Sequence, residues 1–458
     1  MVYRFGGVVA IGGSLAKERD LADTIATEAQ RINDATSRDT RRRALIAGCI
    51  GNLVEWYDFA LFGAFAPVLA TTFFPSHDPI AGLIATYVVF VVAFVARPAG
   101  ALLFGHVGDR VGRRTALATG ILLMSLVTAG TGLLPDHAAI GWPAPFLLAL
   151  LRAGQGVAVG GEYGGSAAFV VEYAPSGCRG WYGGWQWATV GLGFAAGIAA
   201  AVLLSAGLSP VSLRSWGWRL PFLLAAPLGL IGLYIRTRLD DTPGFRAMQQ
   251  VGMVARVPLA DTLRTARRSV VIGFGLVAAV TVTFNVFFVF LPGYEATSGR
   301  TGLPLAFAAA FAGLIAASTV APLLGRLSDR VGRRPVLICA TVALTVLILP
   351  ASSLIDGPGL SHAVLGYVVI GLVLGALGPT AFLSELFPTP LRYSGLAFTY
   401  GIASALFGGT APVVAATLAR QDGTPRSAAW YATAVAAGAL VCVIMAPETA
   451  NRSLDTGK

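Results

Sequence analysis

A few ionisable side chains lie inside long apolar runs of this chain, where a charge is costly and therefore a candidate for function. They are Glu55, Asp58, Arg97, Arg152 and Glu162, with Glu172 and Glu385 near the ends of their runs. A carboxylate in such surroundings has its pKa raised by desolvation and lowered by a nearby arginine. Moving one arginine by a few ångströms therefore changes the affinity of the carboxylate for a proton. These residue types predict reversible protonation linked to the movement of helices.

Three polar residues recur every third position, Asn52, Glu55 and Asp58, so in a helix they share one face. Asp58 lies about 14 residues into the first run and Arg152 about 11 residues into the fourth, so at 1.5 Å per residue both reach the middle of a bilayer. The two form either a proton-coupling pair or a permanent structural ion pair. Glu55 and Glu162 are either second proton carriers or hydrogen-bonded packing residues.

Arg97 also has two interpretations. It lies about eight residues from a charged loop, so it can snorkel outward along its apolar stem. It can instead face a cavity, where its planar guanidinium suits bidentate contact with a carboxylate. Neutral groups in other runs either line the same cavity or pack against a neighbouring helix. The predicted substrate-binding set is Arg97, Arg152, Gln155, Gln186, Asn285 and Tyr400. Phenylalanines at 284, 287, 288 and 290 are more typical of a core or a lipid-facing surface than of a binding site.

The composition identifies the medium that surrounds these residues. Of 458 residues, 55% are hydrophobic and only 12% are charged, with a mean hydropathy of +0.71. Soluble domains carry roughly 25% charged residues, so a soluble fold is excluded. The same excess of apolar residues excludes disorder. A polytopic membrane protein remains.

Apolar runs of about 20 residues, the length that spans a bilayer as a helix, occur twelve times. They cover 44–72, 80–104, 114–134, 141–172, 181–207, 216–236, 269–293, 303–325, 334–354, 361–387, 391–416 and 427–447. We predict an all-α membrane protein with twelve transmembrane helices in two six-helix halves. The predicted boundaries are a tail at 1–43, the first half at 44–236, a central loop at 237–268, the second half at 269–447 and a short tail at 448–458.

The positive charges predict the orientation. The net charge is +10, with 33 basic and 23 acidic residues. Arginines cluster before the first run and after even-numbered runs, and positive loops face the cytoplasm. Both termini are therefore expected to be cytoplasmic, in a bacterial inner membrane. The scattered clusters do not form a nucleic-acid surface.

The chain also repeats itself. GHVGDRVGRR at 105–114 recurs as GRLSDRVGRR at 325–334, and Glu-x-x-Pro-x-x-x-Arg at 172–179 recurs at 385–392. Two halves with the same orientation are related by an axis along the membrane normal. Asp109 can cap a neighbouring helix N-terminus, where its charge is favoured, so the repeated loops predict a cytoplasmic gate; the alternative is that their arginines only fix topology. The predicted gate comprises Asp109, Arg110, Arg113, Glu172, Arg179, Asp329, Arg330, Arg333, Glu385 and Arg392.

The repeated loop resembles the signature of the major facilitator superfamily. GNLVEWYDF at 51–59, RPAG at 97–100, RAGQGVAVGGEYGG at 152–165, EYAP at 172–175 and WGWRLPF at 216–222 resemble its metabolite:proton symporter family. The resemblance covers roughly 44–450. It implies secondary transport of a small polar metabolite with protons, since such carriers take α-ketoglutarate, citrate, shikimate, proline or betaine. Asp58 and Arg152 match the helix-1 acid and helix-4 arginine that couple protons in related sugar porters, so for this pair we favour the coupling role.

Other classes fit less well. No Gly-x-x-x-x-Gly-Lys-[Ser/Thr] nucleotide loop exists, because Gly-Lys occurs only at the last two positions. The four histidines are far apart in sequence, so no metal site is predicted. A channel is disfavoured by the two-half repeat. We therefore expect a proton-coupled symporter, active as a monomer, without a cofactor, whose substrate is an organic acid; the alternative is a zwitterionic osmolyte such as proline or betaine.

Overall fold

A computed structural model describes residues 36–76, 79–250, 266–297, 303–450 and 452. Within these ranges the chain forms twelve helices that are long and apolar enough to cross a membrane, which confirms the predicted fold class. The helices are α1 Arg38–Ala64, α2 Pro79–Arg110, α3 Arg113–Leu133, α4 Pro143–Tyr173, α5 Arg179–Gly207, α6 Pro210–Thr237, α7 Arg267–Glu295, α8 Leu303–Val331, α9 Arg333–Ile355, α10 Leu360–Glu385, α11 Thr389–Asp422 and α12 Arg426–Ile444.

Helix ends differ from the predicted runs where polar residues extend a helix beyond the apolar stretch. α1 begins at Arg38 rather than 44, because the Ser37 hydroxyl accepts the Thr40 amide at 3.1 Å and caps the helix. α2 continues to Arg110, six residues past the predicted end. A short helix, Pro243–Gln250, lies in the predicted central loop. Residues 1–35, 251–265 and 453–458 of the predicted tails and loop lie outside the described residues.

Helix packing repeats between the halves. In the first half α2 packs on α4, α3 on α6 and α1 on α5; in the second, α8 packs on α10, α9 on α12 and α7 on α11. The halves meet through α2 with α11 and through α5 with α8. Each helix therefore has its counterpart six positions later, as the repeated loops predict.

Glycines let α4 lie directly against α2 at the level of Arg97. A Cβ on Gly100 would lie 1.9 Å from the Val157 carbonyl oxygen, and one on Gly160 would lie 2.2 Å from that of Arg97. Small residues permit such backbone contact between membrane helices. The contact fixes the height of Arg97 against α4.

The second half departs from regular helix in the middle of the bundle. α7 contains a π-helical segment at Asn285–Phe290, and α11 contains one at Ser404–Gly408. α10 is interrupted between Ala376 and Thr380, where Pro379 cannot donate a backbone hydrogen bond. Such irregular segments are frequent at functional sites and hinges.

Candidate functional site

Among the described residues, three ion pairs are buried in the first half away from the repeated loops, and their side chains are at most 2% exposed. They are Asp58 with Arg152 at 2.7 Å, Glu55 with Arg97 at 3.1 Å, and Glu162 with Arg236. α1 and α4 run in opposite directions, so the pairs follow one another along the bundle. The Glu162 pair lies towards the end that carries the repeated loops, which we call the motif end. The other two lie progressively further from it.

The structure brings Asp58 and Arg152 together as the sequence predicts. Gln155 Nε2 donates to Asp58 Oδ2, and Arg152 Nη1 donates to Gln155 Oε1. The Phe62 ring covers the guanidinium, 3.8 Å from its centre. Asp58 Oδ1 and Arg152 Nε and Nη2 have no hydrogen-bond partner, although they are buried. The pair is therefore fixed in position, but its hydrogen-bonding capacity is not filled.

Arg97 faces the interior and does not snorkel. Its side chain is 2% exposed, and the guanidinium lies 4.8 Å from the Phe59 ring centre and 4.5 Å from that of Phe94. Because α2 extends to Arg110, Arg97 lies 13 residues from that end, about 20 Å along the helix. The predicted run ended at residue 104, which placed Arg97 only about eight residues from the charged loop and made snorkelling a candidate. Glu55 Oε2 and Arg97 Nε have no partner, so this pair is also incomplete.

Glu162 has a partner that the sequence analysis missed. Arg236, at the end of α6, contacts both Glu162 oxygens and donates to the Ala47 carbonyl at 3.0 Å. Neither Glu162 nor Arg236 is among the buried side chains that lack a hydrogen bond. A Cβ on Gly51 would lie 2.0 Å from Glu162 Oε1, so this pair fills the space beside α1. Of the two interpretations of Glu162, the structure favours the packing residue.

Neutral side chains connect the two halves beside these pairs. The hydroxyl of Thr380, just after the break in α10, donates to Gln186 Oε1 at 2.8 Å, and Gln186 Nε2 donates to the Ser166 hydroxyl at 3.1 Å. Tyr163 of α4 stacks on Tyr400 of α11 with ring centres 3.7 Å apart. Gln186 and Tyr400 thus lie where the halves meet, as expected of residues that line a cavity.

Asn285 satisfies its amide within its own helix, donating to the Thr281 carbonyl at 2.8 Å. It starts the π-helical segment of α7, opposite Gly408 of α11. Nearby, a small apolar cavity is lined by Trp187, Phe284 and other residues of α5, α7, α8 and α10. The phenylalanines at 284, 287 and 288 are buried, which supports the expected core role.

The first repeated loop forms a closed cluster at the motif end. Asp109 pairs with Arg113 at 2.9 Å and accepts the Ser394 amide of α11 at 2.9 Å, which is the predicted helix cap. Glu172 accepts from Arg113 at 3.4 Å and from Arg392 of the second half at 2.7 Å. All four charged side chains are at most 1% exposed. The halves are therefore joined here by buried charges.

The second loop forms a matching cluster. Asp329 pairs with Arg333 at 2.8 Å and accepts the Gly180 amide at 2.8 Å, at the start of α5. Arg333 donates to both Glu385 oxygens at 3.1 Å. The contact of Arg179 with Glu385 is longer, 3.9 Å, and its side chain is 12% exposed. The bundle is closed at the motif end by two related clusters, of which the second is looser.

Two predicted gate residues lie outside these clusters. Arg110 is exposed and contacts His106 at 3.1 Å, and Arg330 is exposed as well. Each follows its aspartate directly, and successive residues of a helix point about 100° apart. The side chains of these two arginines therefore point away from the clusters, and their part in the gate stays a prediction.

Each cluster has an additional carboxylate that the sequence analysis did not identify. Asp241, after α6, accepts the Arg113 amide at 3.0 Å, and the neighbouring Thr242 hydroxyl donates to Glu172. A Cβ on Gly112, whose φ is +137°, would lie 2.0 Å from Asp241 Oδ2. Burial raises the pKa of Asp241 above its usual value, although Arg113 opposes this effect.

The counterpart follows α12. Glu448 accepts the Arg333 amide at 2.8 Å, and the Thr449 hydroxyl donates to Glu385 at 2.7 Å. Burial alone would raise the pKa of Glu448, but bonds from the amides of Ala450, Arg333, Arg334 and Thr449 hold it below its usual value. The start of the predicted tail at 448 is thus part of the closed cluster.

The family model described as Major Facilitator Superfamily matches residues 48–383. The chain belongs to the major facilitator superfamily. Its fold is similar to that of a solved proton:xylose symporter, with a TM-score of 0.77 at 18% identity, covering 92% of this chain and 98% of that one.

Curated relatives are more similar in sequence. The glycine betaine/proline/ectoine/pipecolic acid transporter of Dickeya dadantii is 37% identical over 92% of this chain and 87% of its own length. The proline/betaine transporter of Escherichia coli is 36% identical over 90% and 85%. The alpha-ketoglutarate permease of Escherichia coli is 32% identical over 90% and 95%. The protein is thus a secondary transporter that crosses the membrane several times, and not an enzyme.

Proposed function

We propose that this transporter carries a zwitterionic solute of the proline or betaine class together with protons. The observation that carries the substrate class is the pairing of Arg97, Arg152 and Arg236, the described buried arginines of the first half outside the motif-end cluster, with carboxylates. The expected organic acid depended on spare positive charge in the cavity. A neutral interior matches a substrate whose own charges cancel, because each buried charge needs a partner.

The relatives support the same choice. Those at 36–37% identity carry names of betaine and proline transporters, whereas the alpha-ketoglutarate permease is 32% identical. That permease keeps an organic acid as the second candidate. An organic acid that took Arg97 or Arg152 from its carboxylate partner would leave that buried carboxylate without a cation.

Proton coupling is assigned to Asp58 and Arg152. When Asp58 is ionised, its Oδ2 holds Arg152 Nη1 at a distance of 2.7 Å. Protonation of Asp58 weakens this attraction and frees the guanidinium to move. Both side chains have buried polar atoms without a hydrogen-bond partner, which are rare in folded proteins. These atoms can form new hydrogen bonds when Asp58 takes up a proton and Arg152 moves. Gln155 can stabilise both the ionised and the protonated state of Asp58, because its side-chain amide can donate a hydrogen bond to Asp58 and accept one from Arg152.

The positive-inside rule places the motif end, and with it both termini, on the cytoplasmic side of the bacterial inner membrane. On this assignment the two clusters form the closed cytoplasmic gate. Rocking of the halves breaks the Asp109 cap on α11 and the Asp329 cap on α5 together. A single chain contains the whole pathway, so we propose a monomer as the working unit.

Uptake assays test the proposal directly. The chain is expressed in a bacterial host without proline, betaine or dicarboxylate carriers, and labelled proline, glycine betaine and α-ketoglutarate are supplied. We expect accumulation of a zwitterion that collapses with a protonophore. Accumulation of α-ketoglutarate alone would reject the substrate class. Accumulation that needs sodium and survives the protonophore would reject proton coupling.

A further inference from the structure

We propose that the Glu55–Arg97 pair is the substrate-binding site, and that it opens to take a zwitterion between its two charges. The substrate carboxylate then contacts Arg97, and its ammonium group lies against Glu55. This inference rests on the proposed function and adds to it the two groups that recognise the substrate.

The first support is that this pair is made by a single contact. One nitrogen of Arg97 meets one oxygen of Glu55 at 3.1 Å, while Arg97 Nε and Glu55 Oε2 have no partner. The saturated Glu162–Arg236 pair shows how completely this same bundle can satisfy such groups. A buried pair with free atoms on both members has capacity for a further donor and acceptor.

The second support is the composition of the surroundings. The aromatic rings of Phe59 and Phe94 flank Arg97 at 4.8 and 4.5 Å. Aromatic faces attract cations, including ammonium groups that have no hydrogen to donate. When the guanidinium moves aside, these faces become available to a substituted ammonium beside Glu55. One site then serves both proline, which donates N–H to Glu55, and betaine, which cannot.

The third support is the contribution of the second half. The Tyr400 hydroxyl lies near Arg97, Glu55 and Ser404 without a well-formed hydrogen bond to any of them. Ser404 begins the π-helical segment of α11, and its hydroxyl also has no partner. A substrate held by Arg97 therefore touches both halves, which is where a ligand must act to affect their rocking.

Charge balance explains the selectivity. Insertion of a zwitterion replaces one ion pair by two and leaves the site neutral. A dicarboxylate satisfies Arg97 but places its second charge near Glu55, and close like charges repel each other at an interface. The geometry therefore favours a zwitterion over a dianion by its pattern of charges.

The test is a competition profile of Glu55→Gln in cells that take up labelled proline. We expect the KM for proline to rise at least about tenfold, because one of the two charged contacts is lost. Unlabelled monocarboxylates and α-ketoglutarate should gain potency as inhibitors, since Arg97 then has no competing carboxylate. The amount of each protein in the membrane is measured by immunoblot.

Two further variants complete the experiment. The control is Asp39→Asn, which also replaces a carboxylate by an amide in α1, but at an exposed ion pair with Arg43. It should leave the KM for proline and the inhibitor profile unchanged. Arg97→Lys keeps the charge but not the fork, and should raise the KM for every substrate without favouring anions. If Glu55→Gln does not reach the membrane, Glu55→Asp and Arg97→Lys provide the same KM and inhibition readout.

Failure of this inference is distinguishable from failure of the proposed function. Wild-type uptake of proline or betaine with an unchanged KM and inhibitor profile in Glu55→Gln, or in Glu55→Asp and Arg97→Lys together, would overturn the inserted-substrate site alone. Absence of zwitterion uptake by the wild type would overturn both.

Discussion

The two halves of this transporter share their motif ends but differ in their interiors. Each half has the same cluster of aspartate, arginine and glutamate, and each aspartate caps a helix of the other half. In contrast, among the described residues the buried ion pairs outside the two clusters belong to the first half. The charges of the described second-half helices lie within about two turns of their ends.

This difference separates two tasks. On the proposed function, a gate between two rocking halves needs matching contacts on both sides, and the repeated loops supply the same chemistry. On the same proposal, protons and solute need to be recognised by titratable charge only once, in the first half. The second half contributes neutral polar groups and the irregular segments of α7, α10 and α11, which can change shape without moving a charge.

The proposed assignment of proton coupling to the first half depends most on Asp58. Asp58→Asn keeps the size and removes the titration, so proton-driven accumulation should fall to background while counterflow exchange persists in part. Thr319→Val, at an exposed position of α8 in the second half, should leave accumulation unchanged. Accumulation of substrate by Asp58→Asn on an imposed pH gradient would move the coupling acid to Glu55.

The arginines that cross between the halves are expected to be unequal. Arg392 is buried and lies 2.7 Å from Glu172, whereas Arg179 is 12% exposed and lies 3.9 Å from Glu385. Removal of one partner of a fully buried, close pair is more damaging than loss of a longer contact whose arginine is partly exposed. Initial uptake rates should fall about tenfold or more for Arg392→Gln, but only about twofold for Arg179→Gln. Equal losses would show that the two clusters close with the same strength.

The two aspartates should behave alike. Asp109→Asn and Asp329→Asn each remove a charge from a helix N-terminus in the other half, an interaction worth about 0.3–1 kcal/mol, or up to ~2 when partly buried. Both variants should insert normally and reduce turnover about two- to tenfold. Proteolysis of the motif-end loops in membrane vesicles would report the opened gate. Protection of one variant but not the other would contradict the pseudo-symmetry of the clusters.

The smallest expected effect is a difference in pH dependence between Asp241 and Glu448. Glu448 has a lowered pKa in the folded protein, so its stabilising effect is present above the unfolded value of 4.5 and is lost as the pH falls through the folded pKa. Asp241 has a raised pKa, so its ionisation destabilises the fold as the pH rises from the unfolded value of 3.8 through the folded one.

Thermal unfolding of the purified variants between pH 3.5 and 6 measures this contrast. Glu448→Gln should lower the Tm at pH 6 by about 1–2 °C, and the difference should shrink on acidification. Asp241→Asn should show the opposite slope relative to wild type. Parallel slopes would mean that the two carboxylates have the same environment.

Much of the site was predictable because charge inside an apolar run is conspicuous. The depths of Asp58 and Arg152 showed that the two can meet, and the resemblance to proton-coupled sugar porters paired them. The position of Asp109 at a helix end predicted its role as a cap. Arg236 was missed because it stands at the end of its run and was counted among the loop arginines that set topology. Its role depends on three-dimensional proximity to Glu162, for which Gly51 in α1 was the available signal.

Other features could not be obtained from one-dimensional patterns. The inward direction of Arg97 depends on the true end of α2, where polar residues continue the helix beyond the apolar stretch. The roles of Asp241 and Glu448 depend on chain that folds back after the last helix of each half. Nothing in their local sequence distinguishes such a segment from a solvated loop.

That fold-back has a consequence for the way the chain can be divided. The segment around Asp241 lies before Gln250, and the segment around Glu448 lies in the second half, so each half carries the carboxylate that completes its own cluster. A cut between Gln250 and Arg267 separates the halves without removing a group from either cluster. Fragments covering 1–250 and 266–458 are therefore natural partners for a split transporter, assembled from two polypeptides through α2 with α11 and α5 with α8.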